Sequence, residues 1–108
     1  DTLHTALANL LYNAVRYTPT GGTITLRTFT EKAFAVIEIQ DTGVGISQTV
    51  INRIFERFYR EDEAHTTPGL GLGLPISKRI IEQHQGWIEV DSQPGRGSIF
   101  KVRLPLER

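Results

Sequence analysis

The sequence predicts an α+β domain: a two-layer α/β sandwich in which a mixed, mostly antiparallel sheet is covered on one face by three helices. Three observations predict it. Leu3, Leu7, Leu10, Leu11 and Ala14 recur at three- and four-residue spacing, which makes one apolar helix face. Two pairs of β-rich runs, 23–30 with 33–40 and 87–92 with 98–104, are each joined by a short polar connection, as hairpins are. Two further helical patterns lie between the pairs, so helices and strands share one core. With 108 residues and 39% hydrophobic content, the chain is one domain's worth, able to bury about two thirds of its unfolded surface.

The first helix is expected over 2–17. Its leucine stripe packs on the sheet, while Asn9, Asn13 and Arg16 form a second row placed well away from that stripe. Asn is a mediocre helix former, and a side-chain carbonyl suits a hard metal ion, so the row is either a metal-facing or a merely solvated face. Thr18-Pro19-Thr20-Gly21-Gly22 stops the helix. The hairpin that follows turns at Glu31-Lys32, and its second strand leads into IEIQDTGVGIS, residues 37–47.

That junction is the expected active centre. Ala35, Ile37, Ile39 and Asp41 share one strand face, so Asp41 ends an apolar row, and no Lys or Arg stands within three residues of it. A carboxylate in such a layer needs hydrogen-bond donors. A ligand can supply them, and Gly43 and Gly45 let the backbone lie close against one. Alternatively, Asp41-Thr42-Gly43 is a strand-ending turn in which Asp accepts from the local backbone.

Ser47 is a good N-cap for a helix over 48–53 or a little beyond, with Val50, Ile51 and Ile54 inward. Next, Phe55-Glu56-Arg57-Phe58-Tyr59-Arg60 sets aromatics beside arginines, and Glu61 to Gly69 lacks apolar periodicity. A loop of that length is often a functional lid. Gly69-Leu70-Gly71-Leu72-Gly73-Leu74-Pro75 opens a helix over 74–85, with Gly86 just past its end. Glycines crowding a helix N-terminus suit phosphate binding, but the spacing is neither GxxxxGK[ST] nor a GxGxxG following a strand.

Twelve basic and twelve acidic residues cancel, which gives no field to recruit nucleic acid or an anionic membrane surface. There is no cysteine, which excludes disulfides and thiol catalysis and fits a reducing compartment. No apolar run reaches a membrane span's length. The chain lacks an initiating Met and reads as a piece of a longer protein.

Taken in order, NLLYNAVRYT, DTGVGIS, IFERFYR, GLGLGL and GRGSIF resemble the ATP-binding catalytic domain of bacterial sensor histidine kinases, within the superfamily of gyrase, heat-shock chaperone, histidine kinase and mismatch-repair ATPases. The resemblance covers essentially the whole chain. It implies ATP and Mg²⁺ held under a mobile lid, with transfer of the γ-phosphoryl group to a histidine on a separate helical dimerisation domain of the same protein and, indirectly, to a response regulator. Asn13 then resembles the Mg²⁺-coordinating residue, Asn9 lies beside the phosphates, Arg16 keeps a charge that is often Lys, and Tyr17 matches an aromatic near the nucleotide. Asp41 resembles the carboxylate that accepts from the adenine amino group, with Gly43, Gly45 and Ile46 shaping that pocket. Phe55 and Phe58 match an aromatic box, and Arg57 or Arg60 reaches the terminal phosphate. Gly69 to Leu74, including Leu70, Gly71, Leu72 and Gly73, match the second glycine box, and Ser98 stands where the family has Thr or Ser beside the adenine. Pro75 departs from a common small residue. His4, His65 and His84 lie in no acceptor motif. The kinship further implies a cytoplasmic domain of a parent protein free to carry a membrane anchor. Two rival readings are a non-catalytic nucleotide-binding module and an ATPase that drives conformational change.

Overall fold

The computed structural model describes residues 2–53 and 73–106. It contains α1 (Leu3–Tyr17), β1 (Ile24–Glu31), β2 (Phe34–Asp41), α2 (Gln48–Ile51), α3 (Gly73–Gln83), β3 (Trp87–Gln93) and β4 (Gly97–Pro105). The strands form one sheet in the order β1-β2-β4-β3, and among the described residues every pairing is antiparallel, so the expectation of a mixed, mostly antiparallel sheet narrows to an antiparallel one there. The outer pairs are the two predicted hairpins. The central pair, β2 with β4, joins them through residues that are distant in sequence.

Alternation along the strands decides the two faces. Ile39 opposes Phe100 and Ile37 opposes Val102, and with Val90 and Ile88 of β3 these side chains form the layer on which Ala6, Leu10 and Ala14 of α1 and Ile80 and Ile81 of α3 pack. The two long helices also pack on each other, where the fully buried Ser77 hydroxyl donates to the Ala6 carbonyl at 2.9 Å. A small residue at position 6 leaves room for that approach. α1 is capped by Thr2, whose hydroxyl accepts from Thr5 N–H at 3.2 Å.

Several boundaries differ from those expected. The first hairpin turns at Lys32-Ala33, one residue later than predicted, with Lys32 in the left-handed region (φ 57°) and Glu31 paired with Phe34. α2 is a single turn ending at Ile51, and α3 ends at Gln83 with Gln85 left-handed (φ 64°) and Gly86 N–H bonded back to Ile81 O at 3.0 Å. That 6→1 bond closes the helix through Gln85, with Gly86 one position further on.

The opposite sheet face carries charge. Arg103 of β4 donates to Glu31 at 2.6 Å and to Glu89 at 2.9 Å, and Arg27 pairs with the buried Glu38 at 3.1 Å. Trp87 meets Phe34 edge to face at 5.0 Å and donates its indole N–H to Glu89 at 2.8 Å. The Arg103 hydrogen bond holds the Glu31 carboxyl below the usual range. At Glu89 the indole bond acts first and Arg103 second, in the same direction, and Arg103 is raised by Glu31 and Glu89. Among the described residues no helix is long and apolar enough to cross a membrane.

Candidate functional site

The site is built where β2 ends. Asp41 is 3% exposed, in register with Ser98 of β4, which is also 3% exposed. On a shared strand face, two directly opposed residues have Cβ atoms about 5 Å apart. Asp41 Oδ1 accepts from Gly43 N–H at 2.9 Å, so the local-turn reading holds for one of its two oxygens. Among the described residues no cation pairs with Asp41.

The loop after Asp41 is tied on every side. Thr42 N–H bonds Thr23 O at 3.1 Å while Thr42 Oγ1 accepts from Thr23 N–H at 2.9 Å. Val44 N–H bonds Tyr17 O at 3.1 Å, its carbonyl accepts from Gly95 N–H at 2.7 Å, and Ile46 N–H bonds Ser92 Oγ at 2.7 Å. The end of α1, the loop and the β3–β4 hairpin therefore form one hydrogen-bonded unit. Gly43 and Gly45 are required by this closure. A Cβ on Gly43 would lie far inside van der Waals contact with Tyr17 O, and one on Gly45, at φ 77°, would do the same with Gln93 O. The close approach the structure shows is thus between protein backbones.

The placements of the other predicted residues differ among themselves. Asn13 is buried, only 7% exposed, and joins Ala6, Leu10 and Ala14 on the inner side of α1. The expectation that its row lies well away from the apolar stripe is corrected: Asn13 is seven residues from Ala6, about 20° around the helix, so the stripe extends through Ala6 to Asn13. Asn9 is half-buried and Arg16 exposed, with its guanidinium 5.7 Å from the Tyr17 ring centroid. Among the described residues the Asn13 amide has no hydrogen-bond partner, yet no fully buried side-chain polar atom is unsatisfied, so the amide opens to the surface at the core's edge. Tyr17, one helical turn on from Asn13, is half-buried, and its backbone carbonyl holds the loop at Val44 N–H.

Ile46 is a core side chain at 2% exposure, which limits its part in the site to its backbone, and Leu74 packs half-buried on the core. Gly73 begins α3. Phe55, Arg57, Phe58, Arg60, Gly69, Leu70, Gly71, Leu72 and His65 lie outside the described residues. His4 is exposed, and His84 bonds the Ile80 carbonyl of its own helix at 2.9 Å.

Sequence reasoning missed Ser92 and Thr42. Ser92 Oγ lies 3.0 Å from Gly97 O and 2.7 Å from Ser98 Oγ, besides its bond from Ile46. The signal was present: Ile88, Val90 and Ser92 alternate as Ile37, Ile39 and Asp41 do, another apolar row ending in a polar residue. A 230 Å³ depression at the strand ends is lined by residues of both sheet faces, Asp41, Ser92 and Ser98 together with Gln40, Asp91 and Ile99.

The arrangement combines a buried acceptor, a braced glycine loop and a buried amide one turn from the loop's anchor, with no P-loop. Over residues 1–108 the chain matches the family described as histidine kinase-, DNA gyrase B-, and HSP90-like ATPase, and it belongs to that family. Within it the kinship is with sensor histidine kinases. The chain is 41% identical to the sensor histidine kinase RppB of Synechocystis over 96% of its own length, and 43% identical to the phosphate regulon sensor protein PhoR of Pseudomonas aeruginosa over 91%. It spans 23% of each of those two proteins. Its fold superposes on a mycobacterial sensor histidine kinase, MprB, with a TM-score of 0.80 and 36% identity, covering 94% of this chain and 70% of that one. The chain is a histidine kinase-type ATPase domain.

Proposed function

We propose that this domain binds Mg²⁺–ATP and donates the γ-phosphoryl group to a histidine on a helical dimerisation domain elsewhere in the same protein, which in turn supplies a response regulator. The observation that carries the proposal is the buried Asp41, held by the Gly43 amide and by no cation among the described residues. Its remaining lone pairs suit the exocyclic amine of adenine. Asn13 offers an amide oxygen at the core's edge, and no cluster of three His, Asp or Glu side chains occurs among the described residues. That donor set fits a hard cation that takes its other ligands from phosphates and water.

Phosphoryl transfer of this kind asks little covalent chemistry of the protein. An imidazole nitrogen of the acceptor histidine forms the new N–P bond as the bond from γ-phosphorus to the ADP oxygen breaks. Bound Mg²⁺ would neutralise phosphate charge. The chain's own contribution is positioning: Asp41 orients the base, the braced 42–46 loop keeps that acceptor in place, and Asn13 faces the phosphate side. Arg16, with Arg57 or Arg60, would supply positive charge for the phosphates. Without its acceptor domain the chain should hardly turn ATP over.

The test has two parts. Calorimetric titration of the chain should show ATP and ADP binding that responds to Mg²⁺; a folded sample giving no heat at millimolar nucleotide contradicts the proposal. In the complete parent protein, Asn13→Ala should abolish autophosphorylation while weakening nucleotide binding far less, because charge neutralisation counts most during transfer. Autophosphorylation at the normal rate would remove Asn13 from the metal.

A further inference from the structure

The hydroxyl of Ser92 has one proton, and the structure fixes where it goes. Ile46 N–H, at 2.7 Å, occupies one lone pair of Ser92 Oγ. The Gly97 carbonyl, at 3.0 Å, can only accept, so Ser92 donates to it. The third neighbour, Ser98 Oγ at 2.7 Å, must then donate into the second lone pair of Ser92. Its own proton is thereby committed, and Ser98 has only lone pairs left to offer elsewhere. Asp41, its cross-strand partner on the same buried face, is an acceptor as well.

We infer that Ser92 is a positioning residue that sets base selectivity: by holding Ser98 as an acceptor beside Asp41, it makes this corner of the site acceptor-only. Such a corner takes an amino group, which carries two N–H donors, and rejects an oxo group at the same place. The inference rests on the nucleotide reading above and deepens it, because Ser92 need not touch the nucleotide at all. Its effect is transmitted through one proton.

The probes are ATP and ITP, which differ at the purine's sixth position, amino in one and oxo in the other. Affinities of the 108-residue chain for both are measured by calorimetric titration. Ser92→Ala frees the Ser98 proton to turn toward the oxo group, and it also removes the acceptor of Ile46 N–H. Both nucleotides should bind somewhat less well, but the ATP-to-ITP affinity ratio should fall about five- to tenfold, the worth of one hydrogen bond changing sense. Ser92→Thr, which keeps the hydroxyl, should restore the ratio. A purely structural role would lower both affinities equally and leave the ratio unchanged, and that result overturns the inference. Should Ser92→Ala fail to fold, Ser98→Ala decides, since removing the acceptor must also lower the ratio; an unchanged ratio there overturns it equally. Failure of the wild-type chain to bind ATP would instead overturn the nucleotide reading, and this inference with it.

Discussion

Two carboxylates lie three residues apart on β2, both buried, on opposite faces of one sheet. Glu38, at 6% exposure, is held by an ion pair with Arg27 at 3.1 Å, in a face where Arg103, Glu31 and Glu89 form a second charged group. Asp41, at 3% exposure, has no cation among the described residues and is held by a backbone amide of the loop it starts. A buried charge with a dedicated cation is already neutralised and has little left for a ligand. One held by a single amide keeps acceptor capacity. The difference separates a carboxylate neutralised within the fold from one with acceptor capacity left, which the proposed function assigns to the nucleotide base, and it is set by which neighbours the strand register delivers.

Gly45→Ala attacks the loop that holds Asp41: a Cβ at φ 77° would collide with Gln93 O, which should cost at least about 2 kcal/mol of stability. Gly95→Ala is the control, since φ is also positive (82°) but the Cβ would meet nothing within 4 Å, and its loss should be about 1 kcal/mol. Thermal melts of the two variants should rank in that order. Equal losses would mean that conformational strain alone, without the loop's close approach to the hairpin, accounts for the glycine.

A smaller effect tests the other carboxylate. Glu38→Gln should lower stability by less than about 1 kcal/mol, because Arg27 is largely exposed, and should leave ATP-over-GTP selectivity unaltered. A change in selectivity would erase the distinction between the two acids. The smallest effect belongs to the charged group around Arg103. Glu31 and Glu89 have lowered folded values, so their contribution is present above the ordinary carboxylate range and is lost as pH falls through those lowered values. The double variant Glu31→Gln/Glu89→Gln should therefore melt slightly below wild type at neutral pH, with the gap closing in acid. A gap that widens in acid contradicts the assignment.

Much of this molecule was legible in the sequence because local periodicity maps directly onto burial. The alternation Ile37, Ile39, Asp41 placed the acid on the inner face, and the leucine spacing placed α1 on the sheet. The pairing of β2 with β4 was not legible, since nothing local links Asp41 to Ser98, which lie 57 residues apart, and antiparallel neighbours across such a gap are chosen by the whole core. Asn13 was misjudged because the inner stripe was drawn from leucines alone, without Ala6. The glycines were identified, but the partner they approach is Tyr17 O and Gln93 O, carbonyls whose proximity only the folded chain creates. Ser92 escaped because a serine ending a strand looks like an ordinary turn residue until its three hydrogen-bond partners are counted.

On the proposed function Asp41 is an acceptor prepared for an amino-bearing base, and base selectivity measures that role most directly. Calorimetric titration of the wild-type chain with ATP and with GTP should give about a hundredfold preference for ATP, since a hydrogen bond to a charged acceptor contributes roughly 1.5–3 kcal/mol and an oxo group would leave that acceptor unpaired. Asp41→Asn keeps the Oδ1 acceptor for Gly43 N–H but turns the other position into a donor, so the fold should survive and the preference should narrow sharply. Equal affinity of wild type for the two nucleotides, or a ratio unmoved by Asp41→Asn, would show that Asp41 only closes a turn.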